Sequence, residues 1–255
     1  MVKPANFIIL FLILCFGLVS FCLIFKIFSP KPEQSKNSDN AKTILPGANL
    51  QTGQEANNLT DAFGEFLSEK LKSSGQSFST LTKNIKELIP KELLDVSSVE
   101  KTLNLFPEIN EADLKISQDT SKINQTKYLK TIVEVSQKYV KNFNIDKPIL
   151  DVLNEIVKKQ DAASAQKIAE GSKILVKELY KITVPSNWLD FHKKIIAYFI
   201  SNQIIHEAIA GYNDDPIKSY LAVRAIPKIS SAAIEIEDLL TKKVLENKID
   251  LSKII

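Results

Sequence analysis

Residues 183–223 read TVPSNWLDFHKKIIAYFISNQIIHEAIAGYNDDPIKSYLAV, and this stretch decides the fold class. Within it Trp188, His192, Ile195, Phe199, Asn202, His206 and Ile209 follow one another at intervals of three or four residues. That is the period of one face of an α-helix, where a strand would alternate every second residue. The row holds the only tryptophan and both histidines of the chain. Two roles fit such a mixed row. In one it is a core stripe whose polar members satisfy each other, the commoner outcome because buried polar groups are normally hydrogen-bonded. In the other, Trp188, His192, Phe199, Asn202 and His206 line a groove between helices, and these five are the candidate site residues.

The same period extends outward in both directions. Phe78, Leu81, Ile85 and Leu88 are spaced by three or four residues, as are Val96, Val99, Leu103 and Phe106. It recurs through Leu129, Ile132, Tyr139 and Phe143, and again through Ile229, Ala233, Ile236, Leu240 and Val244. Start signals fall in suitable places: Ser97 with Glu100 forms a capping-box pattern, and Asp215 precedes Pro216 at a first helical position. The spacing predicts helices near 60–73, 77–89, 97–106, 109–117, 122–143, 147–159, 161–182, 186–212, 215–226 and 228–247. Pro227 either separates the last two or only kinks one long helix. No stretch alternates with period two for long enough to predict a sheet. No strict heptad persists, so the expected fold is all-α, a globular multi-helix bundle and not a coiled coil. It spans residues 59–255, with 59–117 and 120–255 as candidate subdomains.

Ahead of this domain the chain changes character twice. From Phe7 to Phe25 no residue is charged, and Lys3 and Lys26 bracket the run. Nineteen residues at the helical rise cover about 28 Å, close to the ~30 Å hydrocarbon core of a bilayer. Residues 1–28 therefore read as a single transmembrane anchor, with residues 7–28 in contact with lipid. No small-x-small cleavage site follows the run, so the expectation is an uncleaved signal anchor. Cys15 and Cys22 lie within the span on one helix face, where a second copy of the span would meet them in a dimer. As small apolar fillers they need no such partner. Residues 29–58 contain SPKPEQSKNSDNAK and PGANLQTGQEANN, too polar to bury a core, and read as a flexible linker. Such a linker reaches on the order of 30 Å.

Composition and spacing disfavour several chemistries. Of 33 basic residues only Arg224 is arginine, and the lysines are interleaved with acids to a net charge of +3. Arginine supplies the planar fork that reads phosphate and guanine, so no nucleic-acid partner is expected. The seven glycines stand singly, without a phosphate-binding loop or a dinucleotide fingerprint. Gly171, beside Ile168, Leu175 and Leu179, marks a close helix approach. His192 and His206 are separated by roughly 21 Å along one helix and cannot share a metal ion. Asn213-Asp214-Asp215 lacks the alternating ligands of a calcium loop and reads as the end of one helix and the cap of the next. No metal or cofactor is expected.

The layout of anchor, tether and helical domain resembles a plan common among bacterial envelope proteins, a likeness of architecture alone. The anchor, the tether and a surface groove are all that a non-enzymatic binding or scaffolding module at the cell membrane needs to engage another envelope protein, and the charged start directly before the apolar run leads us to expect the helical domain outside the cytoplasm. The second reading is a membrane-tethered hydrolase using carboxylates such as Glu207, Asp214 or Asp215.

Overall fold

The computed structural model describes residues 58–61, 64–65, 96–251 and 254. The anchor, the linker before Asn58 and the helix expected at 77–89 lie outside the described residues, as does most of the one expected at 60–73. Among the described residues from Val96 onward there are six α-helices: α1 (Val96–Thr102), α2 (Lys122–Phe143), α3 (Ile149–Lys159), α4 (Ala163–Leu179), α5 (Leu189–Ala210) and α6 (Pro216–Glu246). Short 3-10 turns occupy Glu111–Asp113 and Ser186–Trp188, and two strands, β1 (Lys115–Ser117) and β2 (Thr183–Pro185), complete the order. The described part is thus mostly helical. Among the described residues no helix is long and apolar enough to cross a membrane.

Helix α5 is the axis of the bundle, flanked by α4 on one side and α6 on the other, with α2 against α4 and α1 against α6. The reason lies in its composition. Phe191, Ile195, Phe199 and Ile209 are buried together with Ile196, Tyr198, Ile205 and Ala208, which fall on other faces of the same helix. Most of the circumference of α5 is therefore packed, and only the strip carrying Asp190, Lys194 and Glu207 reaches solvent. Each fully buried Ile or Phe contributes about 1.5–3 kcal/mol relative to its exposed state.

Helix ends follow local chemistry. Ser121 caps α2 by accepting from Asn124 N–H at 3.3 Å, and α2 stops at Asn144, which adopts the left-handed conformation (φ 54°). Gln160 ends α3 in the same way, also at φ 54°. Asp215 caps α6 as its sequence position implies, accepting from Lys218 N–H at 3.0 Å with Pro216 in the first turn. Gly171 makes the expected close approach: a Cβ there would stand 2.6 Å from Phe143 Cγ and 3.2 Å from Ile145 Cδ1. Ser97, by contrast, falls inside α1 and not ahead of it.

Three expectations need correction. Residues 109–117 are not a helix; Asn110 caps a single 3-10 turn, and the chain then runs extended as β1. That strand pairs in parallel with β2, Ile116 opposite Val184, so the bundle carries a small sheet. Three residues per strand are too few to show period-two alternation, and the partners are separated in sequence by the whole of α2, α3 and α4. The helix expected over 161–182 accordingly stops at Leu179. At Pro227 the second of the two alternatives holds: α6 runs as one helix from Pro216 through Pro227 to Glu246.

Candidate functional site

The row read from the sequence lies inside the molecule. Trp188 and His192 are wholly buried, and Phe199, Asn202 and His206 nearly so. The 3-10 turn before α5 drives Trp188 inward, where its ring meets Phe191 edge-on at 5.4 Å and Tyr128 of α2 at 5.8 Å. The indole N–H donates to Gln125 Oε1 at 2.7 Å, and Gln125 Nε2 in turn donates to the Thr120 carbonyl at 2.6 Å. One turn further along α5, His192 joins three helices. Its Nε2 lies 3.1 Å from the carbonyl oxygen of Leu179, the last residue of α4, and its Nδ1 lies 3.1 Å from the Tyr128 hydroxyl. A carbonyl can only accept, so Nε2 carries the proton, and Nδ1 accepts from the tyrosine.

Burial holds this ring neutral: desolvation lowers the His192 pKa to about 4, against the small opposing effect of the Leu179 hydrogen bond. Tyr128 is pushed well above the usual phenol range, first by burial and then by the charge of Asp190, so its hydroxyl stays a donor. His206 is similar. Its Nδ1–H donates to the Asn202 carbonyl at 2.8 Å, and burial lowers its pKa to about 4. His192, Trp188 and Tyr128 therefore hold elements together, while His206 is satisfied within α5 itself.

Residues outside the row do as much. Gln125 and Tyr128 belong to the buried face of α2, and a polar residue at an apolar register of that helix was the signal for Gln125. Ser201 donates to the Ala197 carbonyl at 2.8 Å and accepts from Phe106 N–H at 2.7 Å, pinning the loop after α1 to α5. No sequence pattern marks it. The Ser172 hydroxyl is buried without a hydrogen-bond partner.

The carboxylates of the hydrolase reading do not converge on this row. Glu207 is exposed and accepts from Gln203 at 2.8 Å. Asp214 is exposed, and Asp215 is taken up by structure: besides capping α6 it accepts from Leu59 N–H at 2.7 Å and from the Thr60 hydroxyl at 2.8 Å. Asp190 belongs to a shallow depression of about 530 Å³ lined also by Glu111, Ser186, Lys193, Lys194 and Lys243. Its cations are already matched: Lys193 to Glu111 at 3.2 Å, Lys194 to Glu235 at 3.2 Å, Lys243 to Asp190 at 2.7 Å.

The surface of α6 is different. Its buried residues, among them Leu221, Ala225, Ile229, Ala233, Ile236 and Leu240, form one side. On the opposite side Tyr220, Val223, Ile234 and Leu245 are 54%, 37%, 49% and 71% exposed. At 100° per residue these four fall within roughly a quarter-turn of arc. Ser231, Asp238 and Thr241 share that arc, so this side of the 31-residue helix is mixed, with large apolar residues its own bundle leaves exposed among polar ones. No protein-family model, no curated protein and no solved structure matches this chain, so its geometry alone carries the functional reading.

Proposed function

We propose that this chain is a membrane-anchored binding or scaffolding module of the bacterial cell envelope, whose helical domain engages another envelope protein through the far half of α6. The single observation that carries the reading is the exposure of Ile234 and Leu245 opposite the buried side of the same helix. Eleven residues apart, they lie about 16 Å from each other along the axis, three turns in near register. Asp238 and Lys242 stand beside them, exposed. Apolar anchors with a polar rim are the pattern of a helix that docks against an apolar helical face of a partner. Residues 1–28 supply the anchor in this reading, and 29–58 the reach.

The test uses the full chain in its native membrane, with Leu245 replaced by the photoreactive p-benzoylphenylalanine and the crosslinked products identified by mass spectrometry. The expected result is one predominant envelope partner, attached through a helical segment. Adding Ile234→Glu should reduce its yield at least about tenfold while far-ultraviolet circular dichroism is unchanged. Recovery of the same product at undiminished yield after Ile234→Glu, or no product at all, overturns the proposal.

A further inference from the structure

We propose that the exposed face of α2 is a docking surface for an anionic phospholipid bilayer, on which the helix lies with its lysines among the headgroups and Ile123 just beneath them. Helix α2 carries Lys122, Lys127, Lys130, Lys138 and Lys141 against a single acid, Glu134. In each of the other five helices described from Val96 onward, bases and acids differ by one at most. The excess of positive charge among these helices is thus gathered on α2. Its inner face is buried through Tyr128, Leu129, Ile132, Val133 and Val140, which turns the charges outward. At 100° per residue Ile123, Lys127, Lys130, Glu134, Lys138 and Lys141 fall within roughly a quarter-turn of arc, a strip about 27 Å long. All six are exposed. Among the described residues only Lys130 of these lysines has an acidic partner, Glu134 at 4.0 Å, and an open surface pair of that kind contributes little.

The chemistry of the strip separates a bilayer from other anionic partners. Protein interfaces are enriched in arginine and aromatic side chains and depleted in lysine, and no exposed position of α2 is arginine or aromatic. Nucleic-acid readers likewise rely on the guanidinium fork. A fluid layer of headgroups asks only for point charges, and each lysine near it adds to the attraction without a fixed geometry. Ile123, at the amino-terminal end of the strip, is 84% exposed, more than any other large apolar residue described. An aliphatic side chain beside lysines suits the boundary between headgroups and acyl chains, where lysine stems lie along apolar matter and their ammonium groups stay in water. Helix α2 packs on α4, whereas α6 packs on α5. Contact through α2 is therefore separate from the docking proposed for Ile234 and Leu245 and does not depend on it.

The experiment reconstitutes the full chain, with p-benzoylphenylalanine in place of Ile123, in two kinds of lipid nanodisc. One kind mixes phosphatidylcholine with phosphatidylglycerol, and the other holds phosphatidylcholine alone. After irradiation the expected product in the mixed discs is a lipid adduct on the peptide containing position 123. Its yield should fall about tenfold or more in the neutral discs, and as much on adding Lys127→Glu with Lys130→Glu, while far-ultraviolet circular dichroism is unchanged. High salt should lower the yield with every lysine in place, which tests the contact without touching the fold. The same probe at Leu245 should give at least about tenfold less lipid adduct than at Ile123. Equal yields in the two kinds of disc, a yield indifferent to salt or to the lysine replacements, or an equal lipid adduct at Leu245 would each overturn the proposal. So would a product joining two copies of the chain at Ile123, or no product there at all.

Discussion

His192 and His206 look like functional residues in the sequence and act as structural ones in the fold, and the difference is measurable. Both titrate near the usual 6.5 in an unfolded chain and at about 4 when buried. Between those values the unfolded state binds more protons, so stability is complete above about pH 6.5 and falls as the pH drops from 6.5 to 4. The loss reaches on the order of 3 kcal/mol per ring, since each pKa unit corresponds to about 1.4 kcal/mol. Urea unfolding in mild detergent at pH 7.5, 5.5 and 4.5 should show this slope. His206→Asn keeps the donor to the Asn202 carbonyl, and His192→Gln keeps the donor to the Leu179 carbonyl. Together they should flatten the slope across this window, and an unchanged slope would assign it to other groups. The histidine spacing was legible beforehand. The partners of His192 were not, because Tyr128 and Leu179 lie on helices that only folding brings to α5; His206 bonds the Asn202 carbonyl one turn back on its own helix.

At the scale of elements, α6 shows how packing overrules a local signal. Pro227 lacks an N–H for the Val223 carbonyl, and its ring crowds that turn. The helix continues because Leu221, Ala225, Ile229 and Ala233 on both sides of the proline are buried in a single row. Ser230 and Ser231 hydroxyls donate to the carbonyls of Ile226 and Pro227, each at 3.1 Å. Pro227→Ala should therefore restore one backbone hydrogen bond without loss of packing and raise stability by about 1–3 kcal/mol, read as a higher urea midpoint with an unchanged slope. A lowered midpoint would show that the proline supports the helix. The β1–β2 pair is the converse case, three residues on each side that become strands only because α2 and α4 deliver them to the same place.

For the molecule as a whole, the proposed anchor would put the bundle on one side of a membrane, and the charges flanking the apolar run bear on which. Lys26, Lys31 and Lys36 follow the apolar run, against Lys3 and the amino terminus before it, a bias of one charge toward a cytoplasmic domain. Against it, a short charged start followed directly by an apolar run is how an export signal begins, and we expect it to prevail. Alkaline phosphatase fused after Ile255 should be active, and a fluorescent protein that folds only in the cytoplasm should be dark at the same position. The reverse pattern would place the domain inside. In either case the chain should resist extraction by alkaline carbonate, and its release would remove the anchor from the account.

By itself, the sequence determined that the described domain is built of helices and nearly where each one runs, because a helix is written in the spacing of neighbours three and four residues apart. It determined the cap at Asp215 for the same reason, a short-range demand on a single residue, and a lone glycine within an apolar stripe marked Gly171 as a close approach without saying that Phe143 would be the neighbour. Only the tertiary structure decided that α5 packs against both α4 and α6, that Trp188 and His192 find Gln125 and Tyr128, and that residues 115–117 and 183–185 form a sheet. Those outcomes depend on segments far apart in the chain arriving side by side, and no local period records which segments will meet. The exposed side of α6 belongs to the same class, since an apolar residue is left over only with respect to the bundle that has no place for it.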